Sequence, residues 1–130
     1  MIRYTVGIIA LAATLAAPTL ALAVEARATA KYDGAWTVVV YTSSGPCEAA
    51  HRFSGQIVNG EISYAYGSLE VTGRVEPSGA TMVHVTYGTA RGEAHGHMTA
   101  MQGSGTWTGD GPDGRCAGTW NATRPSTASQ

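Results

Sequence analysis

The side chains of this chain whose types and spacing bear on chemistry are its four histidines, two cysteines and three tryptophans. His95 and His97 lie two apart with Glu93 two before them, so in a strand all three share one face, where two imidazoles and a carboxylate suit a metal ion. The other face of that stretch is Ala90, Gly92, Ala94, Gly96 and Met98, small and apolar, and that face should turn inward. The His pair is then expected on the solvent side, and a metal site at Glu93, His95 and His97 stands only as an alternative. His51 alternates with Phe53 and Ile57 instead, which points it toward an interior or its mouth. It is the candidate for a polar ligand contact, with a hydrogen-bonded core histidine as the plainer reading.

Cys47 and Cys116 are the only cysteines, and an even number behind an export leader reads first as a disulfide. No Cys-x-x-Cys pair suggests redox exchange, and no clustered ligand set suggests zinc. An enzyme would require a nucleophile beside a base or paired carboxylates in a cleft. The acidic residues are scattered over turns and outward faces, and no Gly-x-Ser-x-Gly elbow, phosphate loop or zinc signature occurs. The expectation is a protein without catalytic residues and without a cofactor.

Each tryptophan has a glycine two residues before it: Gly34 and Trp36, Gly105 and Trp107, Gly118 and Trp120. In a strand both members of such a pair lie on one face, and the glycine leaves room for a large ring. The same spacing serves ordinary core packing.

The elements that must position these residues are strands. No stretch after the leader repeats apolar residues at helical spacing, while alternation broken by turn residues recurs throughout. Eight strands are expected, near 36–42, 50–58, 62–66, 69–76, 81–87, 90–99, 103–108 and 115–122. Asn59-Gly60 is the strongest hairpin signal, because a type I′ turn requires positive φ at both central residues. The segment 109–114, Gly-Asp-Gly-Pro-Asp-Gly, reads as an open loop. Eight short strands in a meander leave two exposed edges unless the sheet closes, which favours an all-β, eight-stranded, antiparallel up-and-down barrel over an open sandwich. In such a barrel strands two and eight both flank strand one, so a Cys47–Cys116 bridge would staple the closing seam. The interior would collect Trp36, Val38, Val40, Phe53, Ile57, Ile62, Tyr64, Tyr66, Val71, Val83, Val85, Tyr87, Trp107 and Trp120, with several glycines.

The N-terminal segment stands apart. Arg3, an apolar run over 6–17, Pro18 and Ala21-Leu22-Ala23 have the order of a secretory leader, with cleavage expected after Ala23 or, alternatively, Ala28. The apolar run is shorter than the roughly 20 residues that cross a bilayer as a helix, so no stable membrane span is expected after cleavage. The domain plan is then a leader over 1–23, a flexible start over 24–31, one barrel over 32–124 and a disordered tail over 125–130. The full chain carries a formal charge of −1, and losing Arg3 makes the remainder more acidic, which excludes the basic face that nucleic acid demands.

The segments Tyr32-Asp33-Gly34-Ala35-Trp36, Gly45-Pro46-Cys47, Asn59-Gly60, Gly103-Ser104-Gly105-Thr106-Trp107 and Cys116-Ala117-Gly118-Thr119-Trp120 resemble a family of small exported alphaproteobacterial Gly-rich β proteins, some labelled for haem utilisation. That resemblance implies a shared fold and compartment and carries no catalytic residue to transfer. At Ala94-His95-Gly96-His97 the chain departs from the family, which has small residues and an arginine there, so the label adds little to a haem role. More loosely, Gly-x-Trp in the first strand is similar to lipocalin- and avidin-like barrels, in which that tryptophan plugs or lines one end. The expectation is a periplasmic or secreted binding protein that holds a small apolar or aromatic ligand around Trp36, His51, Tyr64, Trp107 and Trp120. The alternative is a protein-interaction module, such as an inhibitor of a hydrolase, with a filled interior and a contact loop at 109–114 or 43–46. A structural envelope protein is third.

Overall fold

A computed structural model describes residues 27–125 together with the isolated positions 2, 7 and 24. Apart from those isolated positions, the expected leader lies outside the described residues, as does the tail after Pro125. The chain forms β1 (Gly34–Ser44), β2 (Ala50–Val58), β3 (Glu61–Tyr66), β4 (Leu69–Val75), β5 (Ala80–Tyr87), β6 (Ala90–Met98), β7 (Gln102–Gly111) and β8 (Gly114–Thr123). Each pairs antiparallel with the next, and β8 returns to β1, so the expected eight-stranded up-and-down barrel is closed. Closure leaves no free sheet edge along the seam, where Val38 stands opposite Ala122 and Val40 opposite Trp120.

Alternation decides which side chains enter. In β4, Leu69, Val71, Gly73 and Val75 face in while Glu70, Thr72 and Arg74 face out, and the inward members of β5 are Thr81, Val83 and Val85. At the hairpin between β2 and β3, Asn59 and Gly60 both adopt positive φ, at 53° and 79°, as a type I′ turn requires.

Two expectations are corrected. The segment 109–114 is not an open loop: β7 continues to Gly111, which stands opposite Gly114, leaving Pro112 and Asp113 as the connection. Asp110 and Arg115 face each other in that ladder and make an ion pair at 3.0 Å, a cross-strand contact that a reading by loop composition overlooks. Tyr66, expected inside, is 77 % exposed, because it ends β3 beyond the point where that strand has a neighbour on its β2 side.

One end of the barrel is plugged. A 3-10 turn at Ala30–Tyr32 precedes β1, and Thr29 and Tyr32 are both buried. The domain therefore includes residues of the expected flexible start. The Tyr32 hydroxyl donates to the Pro77 carbonyl at 3.3 Å. Arg124 lies over the Trp36 ring, 4.6 Å from its centroid. Its guanidinium donates to the Asp33 carbonyl at 2.6 Å, the Ala100 carbonyl at 2.8 Å and the Lys31 carbonyl. One cation thus ties the N-terminal turn, the β6–β7 connection and the end of β8 together. Tyr32, Trp36, Ile57, Val75, Met98, Trp120 and Ala122 form the core behind this plug.

At the other end, Cys47 and Cys116 form the expected disulfide, with Cα atoms 6.1 Å apart. The bridge ties the β1–β2 connection to the first residues of β8, across the seam that closes the barrel.

Candidate functional site

A barrel of this strand number can be packed solid or can keep a hollow. This one keeps a cavity of about 330 Å³ that opens away from the Trp36 plug. Three determinants keep it hollow. The wall formed by β6 and β7 is lined by Gly92, Ala94 and Gly109, which contribute backbone and little else. Gly55, on the β2 wall, has open space where a Cβ would stand. The Trp107 and Trp120 rings, meanwhile, sit over glycines of the neighbouring strand.

Cross-strand register explains that last point. Gly105 stands opposite Trp120 and Trp107 opposite Gly118, so the two Gly-x-Trp segments on β7 and β8 are reciprocal. Each ring lies over the glycine of the neighbouring strand. A Cβ on Gly105 would come within 2.7 Å of the Trp120 Nε1, and one on Gly118 within 2.8 Å of the Trp107 Nε1. The glycines therefore make room for a ring across the ladder, where the sequence spacing suggested their own strand. Trp36 differs: it stands opposite Gly55 in the ladder, yet a Cβ on Gly55 would meet nothing within 4 Å, so the Trp36 ring does not cover that glycine.

Each indole then spends its N–H on a carbonyl of the barrel. Trp36 Nε1 donates to Tyr32 at 2.7 Å, Trp107 Nε1 to Tyr41 at 2.9 Å and Trp120 Nε1 to His95 at 3.2 Å. A buried indole normally needs such a partner. Having found it in the backbone, these three present only carbon to the cavity. The buried Thr81 hydroxyl is likewise committed, to the Gly79 carbonyl at 2.9 Å.

All five expected ligand residues, Trp36, His51, Tyr64, Trp107 and Trp120, line this cavity. They lie at different depths: Trp36 and Trp120 at the closed end, and His51 and Tyr64 at the open one. The His51 side chain is 58 % exposed, with its Nδ1 3.8 Å from a Glu48 carboxylate oxygen, so it is a rim residue and not a core histidine. Phe53 bridges the rim pair, its ring centroid 6.2 Å from that of His51 and 5.4 Å from that of Tyr64. Phe53, Leu69 and Tyr87 also line the mouth and were missing from the expected ligand set. Alternation already put Phe53 and Tyr87 inward, but no signal in one strand says how far along the axis a residue sits.

The mouth is split on one side. β2 and β3 pair only at Gln56–Ser63, Ile57–Ile62 and Val58–Glu61. Above that point β2 keeps its ladder with β1 as far as Ala50, and β3 keeps its ladder with β4 as far as Tyr66. The two strands thus diverge toward the open end, and the Phe53 and Tyr64 rings meet across the divergence.

On the outer surface, His95 and His97 face solvent as expected. Glu93 is shared differently from the sequence reading, however. It stands opposite His84, 3.9 Å away at Nδ1, with the His95 Nε2 at 3.8 Å. His97 stands opposite Ala80 and lies beside Gly79. Among the described residues, no three His, Cys, Asp or Glu side chains converge to hold a metal ion. His51 is the one imidazole on the cavity among the described residues. Comparison with protein-family models, with curated proteins and with solved structures yields no match to this chain.

Proposed function

We propose that this protein is an exported, non-enzymatic binding protein that holds one small apolar or aromatic ligand inside its barrel. The observation that carries this reading is the open-ended cavity of about 330 Å³ with carbon walls. Ordinary small-ligand sites occupy roughly 300–1,000 Å³, mostly apolar with a few polar groups. The disulfide supports the expected periplasmic or secreted setting, since such bonds persist in oxidising compartments. The protein-interaction alternative called for a filled interior and a contact loop at 109–114 or 43–46; a hollow barrel and a two-residue connection after Gly111 do not favour it, although 43–46 is exposed at the end of β1.

Intrinsic tryptophan fluorescence tests the reading, because three indoles border the cavity. Titration with haem, small aromatic lipophiles and amphiphiles should give saturable one-site quenching with at least one compound, and the response should shrink when Trp107 or Trp120 is replaced by Phe. A flat response to every compound, against a denatured reference, contradicts it.

A further inference from the structure

The interior has spent its hydrogen-bond donors. With all three indole N–H groups and the Thr81 hydroxyl turned to backbone carbonyls, the deep part of the cavity has nothing to offer a polar atom. Burying an unpartnered polar group costs roughly 1–3 kcal/mol by mutational measures, so a ligand with a polar atom at the Trp36 end is rejected. The balance reverses at the open end. The Tyr64 side chain lines the cavity half-buried, and its hydroxyl has no protein partner among the described residues. His51 stands beside it with Phe53 between them. Both border the divergence of β2 from β3, where backbone groups of residues 50–54 and 64–66 that face the gap have no ladder partner. Tyr64, His51 and the unpaired backbone thus gather polar capacity on the β2–β3 side of the mouth, while Arg91, Glu93, Thr108 and Asp110 border the cavity from β6 and β7.

We propose that the ligand is an amphiphile with an apolar tail and an uncharged oxygen-bearing head, bound tail first, with its head held in the β2–β3 divergence by Tyr64, His51 and the unpaired backbone there. This rests on the reading of the cavity as a ligand site. The head is uncharged for two reasons. Arg91, the one Lys or Arg lining the cavity among the described residues, lies on an exposed position of β6, away from β2 and β3, Arg52 alternates to the solvent face of β2, and the ionic partner of His51 is Glu48, which repels an anion. A cationic head at the β2–β3 gap would meet the exposed Glu48 carboxylate, 76 % open to solvent, and such a pair contributes little. A hydroxyl or carbonyl oxygen, by contrast, matches one phenol, one imidazole and free peptide groups.

The test uses four probes on the purified protein: naphthalene, which has no head, and decanol, decanoate and decylammonium, which share a tail. Decanol should bind at one site at least tenfold more tightly than either charged analogue. Tyr64→Phe and His51→Ala should each weaken decanol relative to naphthalene by about fivefold to tenfold, as loss of one hydrogen bond does. If naphthalene binds while decanol equals the charged analogues, or ignores both substitutions, the head site is wrong and the cavity reading stands. If neither naphthalene nor decanol binds, the cavity reading falls and the head site with it.

Discussion

At the scale of single residues, the glycines opposite the tryptophans fix the shape of the interior. A methyl on Gly105 would overlap the His95 carbonyl and crowd Gly96 Cα at 2.6 Å and Trp120 Nε1 at 2.7 Å. Backbone on one side and an indole on the other leave nothing flexible to yield, so Gly105→Ala should cost about 2 kcal/mol as overpacking does. For a domain of this size that lowers Tm by roughly 10 °C, measurable by circular dichroism; an unchanged Tm contradicts the reciprocal packing. The existence of Gly-x-Trp segments was legible from spacing. Their true partners were not, because same-strand spacing is read directly while cross-strand register depends on where the β7–β8 turn falls. Placing that turn over six residues instead of two hid the pairing of Gly105 with Trp120. Arg124 was missed for a related reason, since three backbone carbonyls from distant segments leave no mark in a sequence.

At the scale of elements, period-two alternation located all eight strands and the inward faces of β2, β4, β5 and β6. It could not show that one hairpin comes apart. Asn59-Gly60 specifies the turn, and Ile57 and Ile62 hold the first rungs, but nothing in the local pattern of 50–55 or 64–66 announces that their ladder stops at Gln56 and Ser63. The divergence has a direct physical consequence: amides that point into it lack the protection of a ladder. Hydrogen exchange should therefore be fast for gap-facing amides of residues 50–54 and 64–66 and slow for 56–58 and 61–63. Uniform protection along both strands would contradict the split mouth. The same limit explains the histidines. Spacing grouped Glu93 with His95 and His97, whereas the β5–β6 register brings His84 to Glu93 and sends His97 to Ala80.

At the scale of the whole molecule, closure follows from the need to bury two edges, and the plug follows from Trp36, Tyr32 and Arg124 meeting below β1. Whether a closed barrel is solid or hollow depends on the summed volume of its inward side chains, which alternation names but cannot add up against a diameter. Here the glycines and alanines of β6 and β7, and Gly55 across from them, leave the hollow on which the functional account rests. Gly55 offers the most direct test, because it lines the cavity and a Cβ there would meet nothing within 4 Å. Gly55→Leu should fill part of the cavity without strain, leaving Tm within a few degrees of the parent. The measurement is a one-site titration of parent and Gly55→Leu proteins with a small aromatic lipophile, followed by tryptophan fluorescence. The account predicts saturable binding to the parent and at least tenfold weaker binding to the variant at nearly unchanged Tm; equal binding by both folded proteins would place the ligand elsewhere and contradict it.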